Sequence, residues 1–117
     1  METITIKRVY DNKQSDGSYR ILVDRLWPRG IRKVDLQFDE WNKEITPSSE
    51  LRKWFAHKKE HFVQFTQQYQ QELLSKEEEL NRIRNIAKTK TISLLYGARD
   101  PKINHAIILR NVLLEKL

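Results

Sequence analysis

The sequence predicts an α/β fold: a small, mainly parallel sheet of three to four strands flanked by helices, Rossmann-like in layout. Three observations carry this. Apolar and β-branched runs of strand length recur near residues 3–9, 20–26 and 91–96. Between the second and third runs, from about 48 to 88, apolar residues recur at helical spacing. A strand–helix–strand crossover is most often parallel and right-handed. The 117 residues suit one domain over 1–117 with a single core.

Glu2 to Tyr10 reads as the first strand, with Thr3, Ile4, Thr5 and Ile6 rich in β-branched side chains. Asn12 to Ser18 is a connector with Asp16-Gly17 as its sharpest turn signal. Arg20 to Leu26 is the second strand, and its Ile21-Leu22-Val23 run suits a strand covered on both faces. The connector is short for a parallel crossover, so spacing alone also allows an antiparallel hairpin between these two strands. Trp27-Pro28-Arg29-Gly30 then breaks regular structure. Residues 34–45 read as a loop or a short helix, with Leu36, Trp41 and Ile45 as apolar contacts.

Pro47 suits a first helical position, with Ser48 or Thr46 as cap. Leu51, Trp54 and Phe55 follow at helical spacing, then a stripe of Phe62, Phe65, Tyr69 and Leu73. Ser75-Lys76-Glu77-Glu78 has the form of a capping box opening a helix whose apolar face is Leu80, Ile83, Ile86 and Ala87. Thr91 to Tyr96 is the third strand. Asp100-Pro101 has the form of an N-cap followed by a first-turn proline, and the last helix runs to near Leu117. Trp54, Phe65, Ile83, Leu94 and Leu95 are expected in the core.

Several segments carry a family resemblance. They are Ile6-Lys7-Arg8-Val9-Tyr10, Leu22-Val23-Asp24-Arg25-Leu26-Trp27-Pro28-Arg29-Gly30, Pro47 through His57, the Phe65 to Tyr69 stripe, and Leu94 through Asp100, with the Val23 to Gly30 block the most specific. Together they resemble the YeaO-like family of bacterial proteins. The resemblance implies that the first two strands are parallel and that their connector is a shortened crossover. Longer relatives carry a Cys-His-Arg near the last helix, where this chain has Asn104-His105-Ala106. Cysteine is absent throughout, which excludes disulfides, thiolate chemistry and Cys-based zinc sites.

Lys and Arg total 22 against 16 Asp and Glu, a net charge of +6 that favours anionic partners. No segment reads as a signal peptide or a bilayer span, so no membrane partner is expected and a cytoplasmic location is the default. No cofactor or metal motif is expected either. His57 and His61 have a spacing that can chelate on a helix, but lysines surround them, and a solvated surface is the expected reading.

In an open parallel sheet, ligands bind beyond the carboxyl ends of the strands. Arg8 and Tyr10 end the first strand. Asp24 and Arg25 end the second, with Trp27, Arg29 and Gly30 in the turn after it. Arg99 and Asp100 follow the third. Arg52 joins them as a ligand-binding candidate. The arginines would grip phosphate or carboxylate in bidentate fashion. Asp24, Asp100 and His105 are the candidates for proton transfer. Each has a plainer role available: ion pairing for Asp24 with Arg25, helix capping for Asp100, packing for His105. The expected function is a binding protein or enzyme for a phosphorylated or anionic small molecule of nucleotide type. The alternative is a nucleic-acid-binding module using the basic surface, although the common nucleic-acid motifs are missing.

Overall fold

The computed structural model describes residues 3–116. Glu2, the expected first residue of the first strand, and Leu117, near the expected end of the last helix, lie outside them. Four parallel strands form one sheet in the order β1-β4-β2-β3: β1 is Ile4–Arg8, β2 Tyr19–Leu22, β3 Glu40–Trp41 and β4 Ile92–Tyr96. Four α-helices accompany it, α1 Ser49–Phe55, α2 Phe62–Leu73, α3 Glu77–Ala87 and α4 His105–Leu114. The chain is thus α/β with an all-parallel sheet.

β1 and β2 do not pair in either sense, which removes the hairpin alternative. Both pair with β4, through Ile6 opposite Leu94 on one side and Ile21 opposite Leu94 on the other. The connector, residues 9–18, steps across β4 with only a 3-10 turn, Val9–Asp11, and no α-helix. Two strand spacings are only about 10 Å, within easy reach of a segment that length. β3 falls in the region read as a loop or short helix. It is two residues long, too short for any periodicity, and Glu40 and Trp41 pair with Ile21 and Leu22.

Alternation along the strands sorts the core into two clusters. Ile21, Val23, Ile92, Leu94 and Tyr96 join Leu51, Phe55, Phe65, Tyr69, Ile83 and Leu109, so all four helices contribute to one cluster. Leu22 and Leu95 join Val9, Ile31 and Leu36, with Trp27, Phe38 and Trp41 packed against them. The Ile21-Leu22-Val23 run is covered on both faces, as its apolarity predicts.

Several local expectations are corrected. Ser48 does cap α1, its hydroxyl accepting the Leu51 N–H at 3.2 Å, but Pro47 precedes the cap rather than opening the helix. Ser75 caps nothing. It sits in a 3-10 turn, Leu74–Lys76, that prolongs α2, and its hydroxyl donates to the Glu72 carbonyl. Asp100 closes a turn of its own, accepting from the N–H groups of Lys102 and Ile103. Asn104 caps α4 instead, its side-chain oxygen accepting the Ile107 N–H at 3.0 Å. Phe65, Ile83, Leu94 and Leu95 are buried, but Trp54 is 38% exposed. Leu51 and Phe55 point inward at i and i+4, which leaves Trp54 at the helix edge, stacked on His61 at 4.3 Å between ring centroids.

Two buried arginines have structural duties that the sequence did not disclose. Arg20 donates to the carbonyls of Gln37 and Asn12 and pairs with Asp16. Arg84 donates to the carbonyls of Val112 and Leu113, satisfying the end of α4 that lacks intrahelical partners.

Candidate functional site

A pocket of about 260 Å³ opens beyond the carboxyl ends of β2 and β4, where the parallel sheet places a ligand site. Polar walls come from both strand ends and both neighbouring helices. Asp24, Arg25 and Arg29 follow β2, Gly97 follows β4, Asn104 and His105 open α4, and Arg52 and His57 belong to α1 and its end. Trp27, Phe55 and Phe65 are among the apolar lining.

Asp24 anchors the floor. Its Oδ2 accepts the Gly97 N–H at 2.9 Å. A side chain at position 97 would bring a Cβ within 2.9 Å of that same oxygen, so glycine there is what permits the contact. Asp24 Oδ1 is buried and lies 3.2 Å from His105 Nε2. That nitrogen is only 2.7 Å from the Val23 carbonyl. A carbonyl only accepts, so Nε2 carries the proton and donates it to Val23. Asp24 Oδ1 stands beside the ring without a hydrogen bond. The Trp41 indole N–H donates to the Asp24 carbonyl at 2.7 Å, fixing the backbone beneath it. Tyr69, wholly buried below, donates its hydroxyl to the Ile45 carbonyl. Burial first, then the charges of Glu72 and Asp24, push the Tyr69 hydroxyl well above its ordinary pKa.

The turn after β2 holds the shape its residues dictate. Ile31 N–H donates to the Pro28 carbonyl, and Gly30 takes φ +83°, a left-handed value open to glycine. The Tyr10 hydroxyl donates to the Arg29 carbonyl at 2.7 Å, and the Trp27 indole to the Ile31 carbonyl. Arg29 projects from this turn with an exposed side chain that borders the pocket. Arg25 Nε donates to the Pro47 carbonyl at 2.9 Å, tying β2 to the entry of α1. Arg52 lines the same space with a buried Nε that has no acceptor.

Of the residues expected at the site, the structure brings together Tyr10, Asp24, Arg25, Trp27, Arg29, Arg52 and His105. Four stand apart. Arg8 donates to the Ala98 carbonyl and pairs with Asp11 at 3.5 Å, while its guanidinium lies over the Tyr10 ring. Gly30 serves the turn. Arg99 and Asp100 are exposed outside the pocket lining. Two polar lining residues fall outside the expected set: Asn104, and His57, which is exposed as its lysine-rich surroundings predict yet still borders the pocket. His57 follows α1 at φ 58°, with Ala56 before it at φ 47°. This left-handed pair turns the chain back along the pocket rim, so His57 and His61 do not share a helix face. No group of three or more potential metal ligands occurs among the described residues.

A family model described as the inactive DUF488-N3 subclade matches residues 3–117. The chain belongs to that subclade. It is similar to the uncharacterized protein YeaO of Escherichia coli strain K12, at 52% identity over 106 residues, 91% of this chain and 92% of the relative. It is also similar to the uncharacterized protein Rv3073c of Mycobacterium tuberculosis, at 36% identity over 110 residues, 94% of this chain and 92% of the relative. No solved structure matches the chain. The YeaO-like resemblance read from the Val23 to Gly30 block therefore holds, and this member of the subclade shares it over nearly its whole length. No described helix is long and apolar enough to cross a membrane.

Proposed function

We propose that this protein binds a phosphorylated or otherwise anionic small molecule of nucleotide type in the pocket between the β2 and β4 ends, and holds it without converting it. One observation carries the reading. Arg25, Arg29 and Arg52 border a single pocket, and none has a carboxylate within ion-pair distance among the described residues. Arg8, Arg20, Arg32, Arg82 and Arg84 all have such a partner, while Arg99 and Arg110 lack one among the described residues but lie outside the pocket lining. Guanidinium groups gathered without a counter-ion repel one another, and an oxyanion relieves that repulsion through charge-assisted hydrogen bonds. The Arg52 Nε without an acceptor supports the same reading, because a buried donor left unpaired is costly. Trp27, Phe55 and Phe65 offer an apolar wall to the rest of the ligand.

Holding rather than turnover agrees with the matching family's description as inactive and with a chain that has no thiol nucleophile. Asp24 and His105 then orient the ligand. The His105 proton is already committed to the Val23 carbonyl.

Calorimetric titration with inorganic phosphate and nucleoside monophosphates tests the reading. Wild type should bind at least one of them more tightly than millimolar. Arg52→Gln and Arg29→Ala should each weaken it about tenfold or more, the low end for hydrogen bonds to charged groups, with little change in melting temperature. If wild type binds none of them that tightly, and the variants only lower the melting temperature, the arginines are structural.

A further inference from the structure

We infer that the pocket selects an oxyanion that keeps a proton, a phosphate-type group, and rejects the fully deprotonated sulfate-type group, with Asp24 as the residue that discriminates. This rests on the anion reading above and adds which anion. The pocket is lined by three arginines, yet one carboxylate lies among them. An acid in an anion site weakens binding unless the ligand has something to give it.

Asp24 is held in place by its surroundings. The Gly97 N–H donates to Oδ2 at 2.9 Å, and the missing side chain at 97 leaves room for that oxygen. No arginine lies within ion-pair distance of Asp24 among the described residues. Its nearest cation-forming neighbour, His105, directs its Nε2 proton to the Val23 carbonyl. The Asp24 side chain remains 17% exposed within the pocket lining; with Oδ1 buried, Oδ2 is the oxygen that meets a ligand, through the lone pair that the Gly97 N–H leaves free. An ionised carboxylate has lone pairs and no donor. Beside it, a sulfate would set acceptor against acceptor and negative charge against negative charge. A phosphate carrying an O–H can donate it, forming a short charge-assisted bond. The two anions are nearly alike in shape, and at pH 7 phosphate retains a proton where sulfate has none. The ligand class is therefore inorganic phosphate, or a phosphate monoester taken up in its singly protonated form, which is the minority form at pH 7 because the second pKa of a monoester is about 6.

The experiment is calorimetric titration of wild type and Asp24→Asn with sodium phosphate and sodium sulfate, at pH 7 and one ionic strength. At a single pH the protein itself carries the same charge in both titrations. Wild type should prefer phosphate by about tenfold or more, as expected for an acceptor left without its donor. In Asp24→Asn the amide oxygen can still accept the Gly97 N–H, and the negative charge that faces an unprotonated oxyanion is gone. The two affinities should then converge to within about threefold, chiefly through tighter sulfate binding. Wild type binding both anions alike would overturn the selectivity while leaving the anion reading standing. Wild type binding neither would overturn both. Asp24→Asn with wild-type preference would remove Asp24 from the role. Should that variant lose its cooperative melt, Gly97→Ala, which displaces the carboxylate, should show the same loss of preference.

Discussion

Ile21 and Leu22 are neighbours in β2, yet they face two different kinds of packing. Ile21 lies under Phe65, Tyr69, Ile83 and Leu109, a cluster supplied by helices. Leu22 lies under Ile31 and Leu36, with Trp27, Phe38 and Trp41 only partly buried around them. The helical side satisfies most of its backbone within its helices, with Arg84 completing the end of α4, and is held mainly by apolar contact. On the other side the backbone is irregular, and its carbonyls need donors from elsewhere. Side chains provide them: Arg20 for Gln37 and Asn12, Trp41 for Asp24, Trp27 for Ile31. The difference teaches that a sheet face can be closed without helices if buried polar side chains do what a helix does internally.

The largest expected effect falls on the helical face. Phe65→Ala should cost about 3–5 kcal/mol in urea unfolding, since the ring is buried and stacks on Phe55 at 4.0 Å. Trp54→Ala, on the neighbouring helix but partly exposed, should cost less than about 1.5 kcal/mol. Equal costs would erase the distinction between stripe and edge.

A smaller effect is expected on the opposite face. Arg20→Met should cost about 2–3 kcal/mol, because it strips two part-buried carbonyls of their donor and leaves Asp16 without its buried partner. Amide exchange should accelerate over residues 31–41 and remain slow in α2 and α3. Uniform acceleration would mean that both faces open as one unit.

The smallest effect is the acid response of that tie. The Lys7 ammonium and the Ser18 hydroxyl hold the Asp16 carboxyl below its usual range. A lowered folded pKa stabilises the fold above the unfolded value of about 3.9, and that contribution is lost as pH falls further. Asp16→Asn should therefore flatten the stability profile below about pH 4. An unchanged acid limb would show that Asp16 adds nothing to that side.

The same contrast explains what was legible in the sequence. Phe65, Tyr69 and Leu73, or Leu80, Ile83 and Ala87, announce a buried face by repetition. Arg20 and Arg84 look like ordinary surface cations, because their partners are backbone carbonyls far along the chain and leave no sequence mark. Ser75 and Asp100 carry correct local signals that neighbouring turns absorb. At the site, Asp24, Arg25, Arg29 and His105 come together in one pocket lining beyond the strand ends, where the strand-end rule looks for them. Arg8, Arg99 and Asp100 lie outside that lining; the Ala98 carbonyl and Asp11 engage Arg8, and Asp100 closes its own turn. His57 could have been found only as the end of the Pro47 to His57 block, since its place depends on two left-handed residues.

Glu72 supports the pocket from outside its lining. Its two carboxylate oxygens accept the Ser48 N–H at 2.8 Å and the Ser48 hydroxyl at 2.6 Å, so α2 completes the first turn of α1. With only seven residues, α1 is too short to persist alone in water. It therefore depends on α2 for the closure of its first turn. Arg52 and the Phe55 wall depend on α1 in turn. One side of the pocket is thus held from a helix that supplies little else to the polar lining, and losing Glu72 would loosen that side without touching a pocket residue.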